Sequence, residues 1–400
     1  MRKLTYRLIG LLGSFVMAGV YSPVLADDAT PAATAAATPA ATAAATPAPP
    51  TVVVGGLVDG YYSYNFTNSA NQKTGSGNLG YFYNSTDGSY SLGLAEVKVT
   101  ATQGLASGHI VLAYGQEGGL LIGATQNIGI DVEQAYVSYA PGLFTLSAGR
   151  FVTWMGNEVI ESTGNWNYSR SLLFNYTIPL WHNGISVAYA PSSMFKVTGY
   201  ATNGWNNSIN TSGATAETYG LSLAYTPSSV WSVTVNGIDG PGTSIATVFA
   251  QDRYVGEAII GYNPTSDWSF ALDAELGGQD GSNGTVSNPT FWGADLYAKY
   301  AIASDWSAAL RLEELKDNAN ILGIYSSTAV PAITNGGTFG TAYEGREGTL
   351  TLTHNFTAAW TVSLEGRYDY ALSGGSSVSA FAGTNSSNQV TTTLGTAIAF

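Results

Sequence analysis

Tyr262-Asn-Pro-Thr-Ser-Asp-Trp268-Ser-Phe-Ala-Leu-Asp-Ala-Glu-Leu276 carries the pattern on which the fold turns. An aromatic residue closes one alternating run, a short turn rich in Pro and Ser follows, and a second aromatic opens the next run. From Trp268 onward, Phe270, Leu272, Ala274 and Leu276 share one face, and Ser269, Ala271, Asp273 and Glu275 share the other. A period of two marks a strand lying between two different environments. The phrase recurs as Tyr139-Ala-Pro-Gly-Leu-Phe144, Tyr189-Ala-Pro-Ser-Ser-Met-Phe195, Tyr225-Thr-Pro-Ser-Ser-Val-Trp231, Tyr300-Ala-Ile-Ala-Ser-Asp-Trp306 and His354-Asn-Phe-Thr-Ala-Ala-Trp360. Pro and Ser in the gaps supply turn geometry, so each phrase reads as a tight hairpin. Rings repeated at one level of an antiparallel sheet suit a lipid–water interface, because they are amphipathic. Tyr139, Phe144, Tyr189, Phe195, Tyr225, Trp231, Tyr262, Trp268, Tyr300, Trp306, Trp360 and the terminal Phe400 are therefore expected to form an aromatic girdle.

The charges decide which face is wet. Trp306, Ala308, Leu310 and Leu312 oppose Ser307, Ala309, Arg311 and Glu313, and Trp360, Val362, Leu364 and Tyr368 oppose Thr361, Ser363, Glu365, Arg367 and Asp369. In a dry core each ion would cost several kcal/mol against a total stability of only about 5 to 15 kcal/mol. The ring face, with its many Gly and Ala positions, would fill a soluble core poorly. Lipid outside and water inside fits both faces.

Alternation predicts strands near 52–66, 90–102, 107–116, 127–140, 143–153, 183–190, 194–204, 216–226, 230–239, 253–263, 267–277, 291–301, 305–316, 343–354, 359–371 and 389–400. Sixteen strands, with short turns and long Gly-, Asn- and Ser-rich loops in strict alternation, predict an all-β, transmembrane, antiparallel up-and-down barrel. Short turns and both termini would face the periplasm, and long loops the outside. One hairpin departs from the rule. Counting from Tyr139 and Phe144 places Glu133 opposite Arg150, both on the lipid face. A bulge near Gly149 or burial against a neighbouring subunit would each accommodate the pair.

The ends support export. Residues 1–26 read as a signal peptide, with Arg2, Lys3 and Arg7 before an apolar run and a Val24-Leu25-Ala26 cleavage context. No segment approaches the roughly 20 apolar residues of a membrane helix, so spanning falls to strands. Residues 27–51, of Ala, Thr and Pro, read as a flexible periplasmic linker. Residues 52–400 then form the barrel. With the leader's three basic residues gone from the 14 Lys and Arg, 11 face 27 Asp and Glu, which argues against nucleic acid as a partner. Cysteine is absent, so disulfides and thiolate metal sites are excluded. Phe400 ends an amphipathic strand and resembles the C-terminal signature that the barrel-assembly machinery reads.

Residues 154–183 form the third outer loop, the longest one rich in aromatic and charged residues. Leu172, Leu173, Phe174, Ile178 and Trp181 make it too apolar to stand in water, and the inner wall is the nearest surface. Folded inward as a constriction loop, it would offer Glu158, Glu161, Arg170 and His182 to solutes. The alternative is an outer cap packed on other loops. Around it, Glu133-Gln-Ala-Tyr-Val137, Gly149-Arg-Phe151, Gly156-Asn-Glu158, Asn165-Trp-Asn-Tyr-Ser-Arg-Ser171, Pro179-Leu-Trp-His-Asn-Gly184 and Thr202-Asn-Gly-Trp205 resemble the OmpL-like outer-membrane β-barrel porin family. The resemblance is densest over residues 133–205 and implies a passive channel with no catalytic residues and no cofactor.

A diffusion channel for small hydrophilic solutes or ions is the reading these features favour. Its lumen would be lined by Asp59, Glu96, Lys98, Lys196, Glu257, Asp273, Glu275, Asp295, Lys299, Arg311, Glu313, Glu365, Arg367 and Asp369. Acids outnumber bases there, which would favour cations weakly. Outer-membrane lipid and small solutes are the expected partners, and a homo-oligomer is compatible with such a barrel. A barrel lipase or protease is one alternative, but only His109, His182 and His354 could serve as base and none stands in a hydrolase motif. A loop-mediated adhesin or receptor is another. An energy-coupled transporter would need a folded N-terminal plug, and only linker precedes residue 52. No metal cluster is visible in the spacing of the acids, Glu158 and Glu161 offering just two ligands.

Overall fold

The computed structural model describes residues 49–67, 78, 80–116, 130–209, 217–241, 252–280, 288–319, 321–322, 324, 342–371 and 387–400. The expected leader and residues 27–48 of the linker lie outside them. Sixteen antiparallel strands follow in chain order: β1 (Thr51–Asn65), β2 (Ser89–Gln103), β3 (Ala106–Tyr114), β4 (Asp131–Tyr139), β5 (Phe144–Val152), β6 (Trp181–Ser192), β7 (Phe195–Thr202) and β8 (Thr218–Tyr225). The second half runs β9 (Trp231–Pro241), β10 (Asp252–Tyr262), β11 (Trp268–Gln279), β12 (Thr290–Ala301), β13 (Trp306–Asp317), β14 (Tyr343–Asn355), β15 (Trp360–Ala371) and β16 (Asn388–Ala399). Each strand pairs with its sequence neighbours, and β1 pairs with β16 to close the barrel. Each predicted strand has its counterpart, with ends shifted by at most four residues. The alternation was legible because every strand separates an apolar exterior from a polar interior.

The closing seam involves the last residue. Phe400 N–H donates to the Gly56 carbonyl at 3.0 Å, and Gly56 N–H donates back to the Phe400 carbonyl at 2.8 Å. Phe400 keeps its ring exposed, at the level of the other turn-end aromatics. Those aromatics meet across strands that the short turns do not join. Trp231 stacks on Tyr262 at 4.2 Å, Trp268 meets Tyr300 at 4.7 Å and Trp306 stacks on His354 at 4.4 Å, each in direct register. Pairs of this kind contribute about 0.5–1.5 kcal/mol beyond the area they bury.

Outward rings also occur at the loop end, where Tyr62 meets Tyr90 at 4.9 Å and Tyr219, Trp292 and Tyr368 are exposed. Sequence reading saw one level because the loop-end rings lack a repeated turn phrase beside them. On β11 and β12, Trp268 is opposite Tyr300 and Leu276 is opposite Trp292. Eight residues separate the two levels, about 26 Å along a strand before tilt. The apolar band of an outer-membrane barrel is ~25 Å tall.

The β4–β5 hairpin corrects the predicted register. Tyr139 stands opposite Leu146 rather than Phe144, so Arg150 faces Ala135 and not Glu133. Val111 pairs with Gln134 and Leu112 with Val132, which leaves Glu133 as an extra residue in β4. That bulge turns Glu133 out of the lipid-facing set and buries it completely. A bulge does resolve the misplaced acid, but it lies on β4 and not near Gly149. Arg150 keeps the parity of Leu146 at the loop end, where it pairs with Asp131 at 3.2 Å and lies over the Trp181 ring at 3.7 Å.

Candidate functional site

Residues 153–180, between β5 and β6, run inside the barrel. Their ends meet, since Thr153 N–H donates to the Leu180 carbonyl at 2.9 Å. Within the segment a 3-10 turn covers Ser162–Gly164 and one short helix, α1, covers Leu172–Tyr176. Ser171 caps α1 through its hydroxyl, which accepts Phe174 N–H at 3.0 Å. Met155, Ile160, Leu172, Leu173, Phe174, Ile178 and Leu180 are all buried, packed with Phe82, Tyr83, Phe291 and Leu315. The apolar side chains that make this loop unfit for water thus find their cover inside the barrel.

Polar fastening comes mainly from the loop's backbone. Glu257 accepts Gly156 N–H at 2.7 Å, and Asp273 accepts Asn157 N–H at 3.0 Å. Glu365 accepts Tyr168 N–H at 2.6 Å and Ser169 N–H at 3.1 Å. Glu313 takes Leu172 N–H at 2.7 Å and Leu173 N–H at 2.6 Å, at the open start of α1. Four wall carboxylates therefore satisfy six main-chain donors that would otherwise be buried without partners. Asp59 accepts the Tyr168 hydroxyl at 2.5 Å and the Ser162 hydroxyl as well.

Two wall arginines complete the attachment. Arg311 donates to Glu158 at 2.6 Å, to Glu347 at 2.5 Å and to the Ser169 carbonyl at 2.6 Å. Arg367 donates to the Arg170 carbonyl at 2.7 Å and to Asp369 at 2.7 Å. The wall is also notched where loop rings approach. A Cβ at Gly395 would lie 2.3 Å from the Tyr168 ring, and one at Gly220 would lie 2.0 Å from the Trp154 ring.

The first outer loop enters too, which sequence reading missed. Tyr81, Phe82 and Tyr83 are buried. The Tyr81 hydroxyl donates to Asp369 at 2.6 Å, and its ring lies under the Arg367 guanidinium at 4.2 Å. Burial, then the adjacent Asp369 carboxylate, push the Tyr81 phenol well above its ordinary range, so it stays a donor. The run Tyr81-Phe-Tyr83 was the available signal, being as apolar as the third loop but much shorter.

Of the fourteen wall residues predicted to line a lumen, Asp59, Glu96, Glu257, Asp273, Glu275, Asp295, Arg311, Glu313, Glu365, Arg367 and Asp369 sit on the inner face, each 5% exposed or less. The loops cover them. Lys196 is exposed, Lys299 half-buried, and the Lys98 side chain 39% exposed. Lys98 reaches Glu96 at 3.0 Å and binds Glu161 in the loop.

The four loop residues expected to meet solutes divide similarly. Glu161 keeps a partly exposed side chain. Glu158 is enclosed, accepting Ser171 N–H at 2.7 Å as well as Arg311. Arg170 turns back on its own loop, to the carbonyls of Tyr168 at 2.6 Å, Val159 at 3.2 Å and Ile160, over the Tyr83 ring. His182 belongs to β6 rather than the loop and is completely buried. It stacks on Trp154 at 4.6 Å, with Nδ1 3.0 Å from the Gly204 carbonyl. The expectation that Glu158, Arg170 and His182 face solute is thus corrected: each is held by a buried partner that water would have to displace. His109 stacks on Tyr136 and contacts the Ser107 and Thr100 hydroxyls, while His354 stacks on Trp306.

This burial has a direct chemical readout. Lys196→Cys and Lys299→Cys should react with a hydrophilic thiol reagent in the folded barrel, and Asp295→Cys, at a completely buried wall position bonded to Tyr297 rather than to the loop, should stay silent until the third loop is removed. Rapid labelling of Asp295→Cys with the loop intact would contradict the enclosed position.

Solved structures share the architecture. The outer membrane channel DcaP of Acinetobacter baumannii aligns with a TM-score of 0.58 at 12% identity, over 88% of this chain and 98% of that one. An anion-selective porin from Comamonas acidovorans aligns at 0.58 and 13% identity, over 88% and 100%. The trimer form of OmpT from Vibrio cholerae aligns at 0.57 and 11% identity, over 88% and 100%. At these identities the likeness is one of fold. No curated protein sequence matches the chain. Residues 51–400, the whole barrel, match the family described as "Putative beta-barrel porin-2, OmpL-like", and the chain belongs to that family of outer-membrane β-barrel porins.

Proposed function

We propose that the protein is a narrow, passive diffusion channel of the outer membrane whose cross-section is set by residues 153–180. The observation that carries this reading is the loop's attachment to the inner wall by six backbone amides and two arginines, which leaves Lys98, Glu161, Lys196 and Lys299 as the inner charges nearest water. A covalently continuous segment fixed across a barrel restricts what passes without shutting a gate. In this reading the leader 1–26 directs export and is removed, residues 27–51 tether the barrel's start in the periplasm, and Phe400 presents the last strand for assembly.

Selectivity follows from the charge balance of the interior. The wall residues named above comprise nine acids and five bases, and Glu133, Glu158, Glu161 and Glu347 add to the acids against Arg170. An interior of that sign favours cations, weakly, because the inner loop covers most of these charges and Lys98, Arg311 and Arg367 pair with Glu96, Glu161, Glu158, Glu347 and Asp369. The anion selectivity in the name of the Comamonas porin stays with that protein. Trimer assembly, as in the OmpT form, is a state this chain could share through its outward faces.

Planar-bilayer recording of the folded full chain tests the proposal. Small ohmic steps are expected, and a potassium chloride gradient should give a reversal potential displaced modestly toward the cation side. Folded protein that inserts and yields no conductance would end the channel reading, and a strongly anionic reversal potential would end the selectivity.

A further inference from the structure

We propose that Glu257, Asp273 and Glu275 bind a hard divalent cation, of the calcium class, at the joint between the barrel wall and the inner loop. Oxygen atoms from the three carboxylates all lie within 4.8 Å of one another. Glu257 is fully buried, Asp273 is 3% exposed and Glu275 4%. Glu257 stands directly opposite Glu275 on β10 and β11, with Asp273 two residues along the same face. Like charges directly opposite one another repel, and burial deprives them of the water that would screen them. Among the described residues no Lys, Arg or His forms an ion pair with any of the three.

The hydrogen bonds leave one corner of this cluster bare. Glu257 is satisfied by Gly156 N–H at 2.7 Å and the Asn236 amide at 2.6 Å, and one Asp273 oxygen by Asn157 N–H at 3.0 Å. Asp273 Oδ1 and both Glu275 oxygens receive no donor from the described residues. The Thr177 hydroxyl beside Glu275 is spent on the Leu173 carbonyl at 2.7 Å. A separate observation points the same way. Asp295, directly opposite Asp273 on β12 and completely buried, gives Oδ2 to the Tyr297 hydroxyl at 2.8 Å and has no donor for Oδ1.

Three oxygens of this buried cluster without a proton donor, with a fourth on the adjoining Asp295, describe a site that calls for positive charge. The donor set is oxygen alone, with no thiolate or imidazole, which selects a hard ion over zinc or copper. Carboxylates that can bind through one or two oxygens, in an irregular array, suit calcium better than magnesium, which demands a near-ideal octahedron. The same carboxylates hold Gly156 and Asn157, so the ion would clamp the first turn of the inner loop to β10 and β11. A second trio, Glu96, Glu133 and Glu161, also gathers oxygens within 4.8 Å, but Lys98 already supplies its cation.

Calorimetric titration of the folded full chain with calcium, after stripping with a chelator, tests the site independently of whether the barrel conducts. Wild type should bind one ion per chain. Glu275→Gln, which removes the bare carboxylate without breaking a hydrogen bond to the loop, should weaken binding about tenfold or more. A Glu96→Gln, Glu133→Gln, Glu161→Gln variant should bind as wild type does. Thermal unfolding gives a second readout: calcium raises the wild-type midpoint and not that of Glu275→Gln, and in chelator Glu275→Gln unfolds above wild type. Absence of calcium binding by folded wild type, or binding undiminished in Glu275→Gln, would overturn the proposal, as would identical midpoints with calcium and with chelator.

Discussion

Excising residues 156–179 and joining the cut with two glycines should raise single-channel conductance several-fold and move the reversal potential strongly toward cations. The join is short because Thr153 and Leu180 already touch through a backbone hydrogen bond. Removal would strip the amide partners from Glu257, Asp273, Glu313 and Glu365 and expose the inner face to water. With the loop gone these carboxylates face the opening directly, and a wall with acids in excess then sets its field. Both readouts come from one bilayer experiment. Unchanged conductance in a folded, loop-free barrel would show that the constriction lies elsewhere, with the first outer loop at Tyr81 to Tyr83 as the next place to cut.

Arg311→Met should have the largest effect of any single substitution. Arg311 is completely buried and holds Glu158 of the loop, Glu347 of β14 and the Ser169 carbonyl at once. Methionine fills much of its volume but leaves buried Glu158 without its cation and Glu347 with only the more distant Arg367, at 3.4 Å. Breaking a buried pair in this way costs about 3–5 kcal/mol. Denaturant unfolding in micelles should shift by that amount, and the loosened loop should give noisier, larger current steps. Adding Glu158→Gln and Glu347→Gln to Arg311→Met should recover a good part of the loss, because the uncompensated charges are then gone. Were Arg311→Met to unfold like wild type, the arginine would not be what fastens the loop.

The barrel could be read from the chain because twelve of its strands, β4 to β15, are written twice, once in their alternation and once in the aromatic phrase at their turn. Trp268 to Leu276 needs no tertiary knowledge to sort lipid from lumen. The hairpin at Tyr139 and Phe144 was misread by two positions because its tight turn is centred on Gly142 and Leu143, with Phe144 N–H donating to the Pro141 carbonyl at 3.1 Å, and the bulge at Glu133 was missed because an extra strand residue leaves no mark in composition. The inward path of the third loop was legible from Leu172, Leu173 and Phe174, whose burial had to come from somewhere. Its consequence for the charges was not. That Glu313 ends on the amides of α1, or that Glu257, Asp273 and Glu275 converge, depends on inter-strand register and on the loop's course, which no local pattern encodes. His182 was assigned to the loop because Trp181 and His182 do not alternate visibly with what precedes them.

The attachment of the inner segment through main-chain amides has an implication for how freely this protein can be altered. Every residue but proline offers the same N–H, so the carboxylates of β10, β11, β13 and β15 recognise a backbone path and are indifferent to most of the side chains along it. Such a socket would accept foreign inserts of matching length, and the solute preference of the pore could be rewritten there while the cylinder around it stayed untouched.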